Sequence, residues 1–294
     1  ILDWIANHTA WDNVWVKEHA DWYTGPLTND EKAWSDVTFL NYSKPEVRTA
    51  MIDALTYWVK EADIDGFRCD YAQGVPDDFW KEAITAIRAV KPGALMLAET
   101  SRTELYTAGF DWLYSWNYLG NVQELYGKGS LAALYNASAN EFKSTPAGKE
   151  RLRYVTNHDA CSEKSNSSLY KSPEGMLAAS VVTYFLGGVP LIYSSQEIGY
   201  MKQINFCVAP GKSVLMNWNE NAEILKATKQ LMATYHATAT LRGGKQELIQ
   251  TNEDVACITY SSDAGSLAVV VNICNAETAF SLPMSLQNRE AENV

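Results

Sequence analysis

Short apolar runs recur along the chain, each followed by a polar loop and then by apolar residues at helical spacing. Strands are expected over residues 1–7, 66–71, 94–99, 110–115, 152–157 and 189–193. Between the first two runs, Ser43-Lys44-Pro45-Glu46 reads as a helix start: Ser43 caps, Pro45 sits in the first turn and Glu46 reaches back. Val47, Met51, Leu55, Trp58 and Ala62 then repeat at helical spacing and should form one buried face. Phe79, Ala83, Ile87 and Val90 do the same before Lys91-Pro92-Gly93 stops the helix. Ser172-Pro173-Glu174 opens another helix that ends at Gly187-Gly188. A last helix covers roughly 222–240, with Leu225, Met232 and Tyr235 on one face. Strand–helix alternation of this kind implies a parallel α/β body.

After Gly243-Gly244 the pattern changes to successive strands over 247–251, 255–261 and 267–274, with Ser262-Asp263-Ala264-Gly265 as a turn. The chain therefore divides into an α/β body over 1–242, within which 9–42 form a short inserted loop, and a small antiparallel β domain over 243–294. Six βα units are countable, where a closed (β/α)8 barrel has eight.

The strand ends carry the chemistry. Arg68 and Asp70 share parity in Gly66-Phe67-Arg68-Cys69-Asp70-Tyr71, so both face one side, while Phe67, Cys69 and Tyr71 face the covering helices. An arginine beside a carboxylate keeps it ionised, as a covalent nucleophile requires. Glu99 ends the apolar run Ala94–Ala98, and a carboxyl in apolar surroundings tends to keep its proton, which suits a general acid. Asn157-His158-Asp159 ends a third run and Asn7-His8 the first. Taken singly, each has a plain structural role: an ion pair, a helix cap, a satisfied histidine. Together, in order and at strand ends, they converge on the face where parallel barrels place their active sites.

The net charge of −11 argues against nucleic acid, and no apolar run is long enough to span a membrane. Five scattered cysteines without a CxxC pair, and only four histidines, argue against a zinc site or a disulfide framework. The chain opens on Ile1 with no leader, which reads as a mature fragment or a protein missing its natural beginning.

The ordered set DWIANH, GFRCDYA, LAET and VTNHD resembles the four sequence regions of the α-amylase family of glycoside hydrolases. The resemblance implies a (β/α)8-type TIM barrel, entered here at its third strand without the first two βα units, followed by an antiparallel β domain. It implies retaining, endo-type hydrolysis of α-1,4 bonds in starch-like glucans. Asp70 matches the nucleophile, Glu99 the acid/base, and Asp159 the carboxylate that steadies the distorted sugar. Arg68 matches the arginine beside the nucleophile, and His8 and His158 the histidines that bind the sugar. Asn7 matches a position that often binds calcium, and Asp3 a mainly structural aspartate.

Transglycosylation, α-1,6 cleavage, or glucan binding without catalysis would use the same residues. Two departures stand out. Tyr71-Ala72-Gln73-Gly74 replaces the Lys-His continuation common after the nucleophile, and the loop after the first strand is short. Open barrel edges also suggest a homo-oligomer that covers them. Of Trp11, Trp15, Trp22, Tyr23 and Trp34 in that loop, at least one is a candidate to stack on sugar.

Overall fold

The computed structural model describes residues 1–24, 34–205, 214–249, 252–274 and 276–281. The chain forms two compact units, 1–114 with 144–150, and 115–143 with 151–294.

In the first unit, β1 (Leu2–Ile5) leads into a small antiparallel pair, β2 (His8–Ala10) and β3 (Val37–Phe39), separated by the short helix α1 (Val14–Glu18). Helix α2 (Pro45–Ala62), β4 (Gly66–Asp70), helix α3 (Asp77–Val90), β5 (Leu95–Ala98), the one-turn helix α4 (Leu105–Ala108) and β6 (Trp112–Tyr114) follow. β4 pairs in parallel with β1 and β5, and β5 with β6. Among its described residues, the inserted segment holds the β2–β3 pairing and α1.

Register decides which side chains meet. Asp3 lies opposite Arg68, Ile5 opposite Asp70, and Arg68 opposite Leu97. Cross-strand partners share a sheet face, so Asp3, Arg68, Asp70 and Leu97 crowd one side. On the other, Phe67, Cys69, Met96 and Ala98 are fully buried with Met51, Leu55, Phe79 and Trp80. At Gly66 (φ +150°) an added Cβ would come within 2.0 Å of the Leu95 carbonyl oxygen, so only glycine lets β4 start this close to β5.

Several local expectations are corrected. α2 starts at Pro45, but Ser43 does not cap it: its hydroxyl donates to Asn41 Oδ1 at 2.6 Å. Val59, not Trp58 or Ala62, completes the buried face of α2, and Trp58 is exposed. Val90 is exposed too, and Ile84 joins the buried side of α3.

The second unit begins with helices α5 (Trp116–Gln123) and α6 (Leu131–Lys143). β7 (Glu150–Arg153) comes next; it starts earlier than the periodicity suggests and pairs in parallel with β8 (Val189–Pro190). Between them lie α7 (His158–Glu163), α8 (Asn166–Tyr170) and α9 (Pro173–Phe185). Here Ser172 does cap, accepting the Gly175 N–H at 3.1 Å. The expected 222–240 helix is two helices, α10 (Ala222–Ala237) and α11 (Ala239–Arg242). Thr228, Leu231 and Tyr235 are the buried positions of α10; Leu225 and Met232 are only half-buried. β9 (Lys245–Ile249), β10 (Val255–Ser262) and β11 (Gly265–Asn272) then form an antiparallel sheet with the turn where expected.

Arg153 is wholly buried in this unit. Its Nη1 donates to Glu141 Oε2 at 2.8 Å, and its guanidinium lies 4.3 Å from the Tyr118 ring centre. Removing one charge of a buried pair strands the other. Glu141→Gln should therefore cost about 3–5 kcal/mol in chemical denaturation; an unchanged unfolding midpoint would contradict a dependence on this pair.

Candidate active site

The crowded face of the first unit converges on one guanidinium. Arg68 is 7% exposed. Its Nη1 donates to Asp70 Oδ1 at 2.6 Å and to Asp3 Oδ1 at 2.9 Å. Its Nη2 lies 3.0 Å from Glu99 Oε2, as an ion pair without an aligned hydrogen bond. Its Nε donates to the Tyr114 hydroxyl at 3.2 Å, from the end of β6. Adjacent parallel strands thus deliver Asp3, Asp70 and Glu99 to a single cation. Burial works against that positive charge, but Tyr114, Glu99 and Asp70 outweigh it and push the Arg68 pKa further up. Arg68 therefore stays charged.

Glu99 does not sit in the apolar setting its strand suggested. β5 is apolar, yet Glu99 follows the parity of Leu97 toward Arg68. Its Oε2 also accepts the Tyr71 backbone N–H at 2.8 Å. Both contacts favour the ionised form.

Tyr71 departs from strand parity as well. Its backbone is left-handed (φ 38°, ψ 47°), a conformation that costs a non-glycine residue of order 1 kcal/mol. The ring therefore turns away from the helices and meets Trp34, with ring centres 5.0 Å apart. Trp34 in turn lies 5.6 Å from His8 and 5.7 Å from Phe39. Of the loop aromatics, Trp34 is the one against His8. Trp15 and Trp22 pack edge to face on each other at 5.3 Å, and Trp11 donates to the Ser35 carbonyl oxygen at 3.1 Å.

Burial lowers the His8 pKa, against the pull of Asp70 and Asp36, so His8 is neutral near pH 7. A histidine whose folded pKa is depressed contributes stability that is present above its unfolded pKa and lost as pH falls below it. Thermal stability should decline as pH drops below about 6.5, and His8→Gln should flatten that decline. An unaltered slope in the variant would show that His8 is not the group responsible. Cys69, next to the nucleophile candidate, is wholly buried and its thiol pKa is pushed up, so it is not a competing nucleophile.

Asn7 is buried, and neither its amide nitrogen nor its oxygen has a partner. Such an oxygen suits a calcium ligand, but calcium takes six to eight oxygens. Among the described residues no three His, Cys, Asp or Glu side chains gather to hold a metal. Among the described residues, Asn7 thus offers one suitable oxygen that no acidic cluster accompanies. Cys69, Cys161, Cys257 and Cys274 are free thiols, and Cys207 lies outside the described residues.

In the second unit, Asn157 caps α7 by accepting the Ala160 N–H at 2.8 Å. That places His158 and Asp159 in the first turn, where a helix N-terminus favours a carboxylate. His158 Nε2 lies 3.4 Å from Asp159 Oδ1, both about one-third exposed, and the His158 ring is 6.5 Å from that of Tyr193.

Of the candidates named from the sequence, the first unit brings Arg68, Asp70 and Glu99 together, with His8 near Asp70. Sequence reasoning assigned Asp3 a structural part without its ion pair, and it missed Tyr114 and the backbone of Tyr71. Tyr114 was visible in principle, at the end of an expected strand. No pattern announces a tyrosine at positive φ.

Parallel strands alternating with helices, with a three-stranded antiparallel sheet after them, fit a partial (β/α) barrel followed by a small β domain. The chain belongs to the family described as "Alpha amylase, catalytic domain", which it matches over residues 31–245. It is 25% identical to a cyclomaltodextrinase of Geobacillus thermopakistaniensis over 98% of this chain and 53% of that protein. It is 24% identical to a maltogenic alpha-amylase of Bacillus acidopullulyticus over 84% of this chain and 43% of that protein. The chain thus spans about half the length of these curated relatives. Among solved structures, a noncanonic maltogenic alpha-amylase from Thermotoga neapolitana superposes with a TM-score of 0.80 at 28% identity, covering 92% of this chain and 64% of that one. An alpha-amylase from Lactobacillus plantarum gives 0.82 at 27% identity, covering 95% and 69%. No helix among the described residues is long and apolar enough to cross a membrane.

Proposed function

We propose that the protein hydrolyses α-1,4-glucosidic bonds in starch-like glucans and maltooligosaccharides, with retention at the anomeric carbon. The observation that supports this most is the sharing of Arg68 by Asp70 and Glu99 from adjacent strand ends. A retaining glycosidase needs two carboxyl groups close enough to act on one sugar carbon, about 5–5.5 Å apart. A common guanidinium is a way to hold them so. The names of the relatives, a cyclomaltodextrinase and maltogenic amylases, favour short or cyclic maltodextrins as substrates.

The roles are those that the matched sequence regions imply. Asp70, held by Arg68, attacks the anomeric carbon. Glu99 donates a proton to the glycosidic oxygen as the carbon–oxygen bond breaks, leaving the sugar covalently on Asp70. Glu99, now ionised, takes a proton from water; the water oxygen bonds to the anomeric carbon and Asp70 leaves. Arg68 keeps Asp3 and Asp70 as partners whichever form Glu99 adopts, so Glu99 can cycle without stranding the buried cation. Three carboxylates around one arginine leave the site net negative, which favours a sugar gaining positive charge. Asp159 and His158 are assigned to the distorted sugar by their place in VTNHD, and Trp34 and His8 are candidates to line it.

Proton NMR of the first product tests the stereochemistry. Maltooligosaccharide should release the α-anomer first; the β-anomer would rule out retention. Product profiles on starch, pullulan and maltooligosaccharides separate α-1,4 hydrolysis from α-1,6 cleavage and glucosyl transfer.

A further inference from the structure

We propose that Tyr71 is a positioning residue: its backbone N–H, fixed in place by the left-handed turn that follows it, holds the Glu99 carboxyl toward the bond being cleaved. This rests on Glu99 being the proton donor. The residue directly after the nucleophile candidate thereby orients the other carboxylate through its main chain.

The contact is specific. The Tyr71 N–H reaches Glu99 Oε2 at 2.8 Å. The peptide plane before Tyr71 directs that N–H toward β5, where the Glu99 N–H donates to the Cys69 carbonyl, and the turn at φ 38° takes the following chain out of the ladder, leaving the N–H to the Glu99 side chain. The turn is braced from several directions. The Gly74 N–H donates to the Tyr71 carbonyl at 2.8 Å, and the Trp80 indole to the Ala72 carbonyl at 2.9 Å. Thr100, next to Glu99, donates its hydroxyl to Gln73 Oε1 at 2.8 Å. Gln73 thus ties the segment after Asp70 to the segment after Glu99, so the two carboxylates move as one piece. The Tyr71 ring lies against Gly74, where an added Cβ would come within 2.5 Å of it, and against Trp34. Ring and glycine together keep the strained backbone from relaxing. A residue held in a sparsely populated conformation by its surroundings is what a site that must fix a proton donor would retain.

A pair of substitutions separates backbone from ring. Val resists the left-handed region because it is β-branched, whereas Asn tolerates it, and both remove the ring. The readout is kcat/KM for the first covalent step, on a maltooligosaccharide that needs a proton on its leaving group and on α-maltosyl fluoride, which does not. Tyr71→Val should lose about 100-fold on the oligosaccharide, the scale of a small misplacement, and only a few-fold on the fluoride. Tyr71→Asn should restore most of the oligosaccharide activity. If Tyr71→Val does not fold, Gly74→Ala, which displaces the ring, should give the same leaving-group signature. Equal losses on both substrates for Val and Asn, or for Gly74→Ala, would overturn the proposal. Glu99→Gln is run beside them. If it shows no leaving-group dependence, Glu99 is not the donor; if it does while the Tyr71 and Gly74 variants do not, only the positioning role fails.

Discussion

Asp70→Asn should reduce turnover of maltooligosaccharides by at least about 1,000-fold, the scale on which loss of a nucleophile acts in enzymes that work through covalent intermediates. Arg68 would still have Asp3 and Glu99, so the fold should survive and circular dichroism should be unchanged. In Asp70→Ala, whose shortened side chain leaves room for a small anion, azide should restore part of the cleavage and yield a β-configured glycosyl azide. Near-normal hydrolysis by Asp70→Asn would remove it from the role.

Glu99→Gln should behave differently. General acid–base catalysis contributes about 10²–10⁴-fold, so loss on maltooligosaccharides should fall in that range. On α-maltosyl fluoride the first covalent step needs no proton and should be nearly untouched. Azide should now attack the sugar already held on Asp70 and give the α-configured azide. Asp70→Ala and Glu99→Gln thus predict opposite stereochemistry from one added reagent. Identical behaviour of the two would mean that the carboxylates do not divide the work as assigned.

Much of this was legible in the residues because strand parity is simple. Arg68 and Asp70 two residues apart had to share a face, and the register that sets Arg68 opposite Leu97 carries Glu99 to the same place. The environment of Glu99 was misjudged for a physical reason. Its strand is apolar along the chain, but neighbours across the sheet, not along it, set the electrostatics of a strand end. The helix surfaces show a related limit. Trp58 fits the helical period, yet Val59 takes the buried place, because the period alone does not fix how wide the covered stripe is or where it is centred. Tyr71 was assigned to the helix side on the premise that the strand continues through it. The turn that breaks that premise is held by Trp80, Gly74 and Gln73, contacts that exist only once the fold has formed.

The calcium expectation at Asn7 rests on an unpaired buried amide, and among the described residues no cluster of acidic side chains accompanies it. None of the steps above depends on the ion.

The central claim is covalent attack by Asp70, and trapping the intermediate tests it most directly. A fluorinated α-glucosyl fluoride, which slows release of the sugar from the enzyme, should add one glycosyl mass to the intact protein. Peptide mapping should place that mass on Asp70. A label on Glu99 or Asp159, or none under conditions where substrate is cleaved, would contradict the assignment.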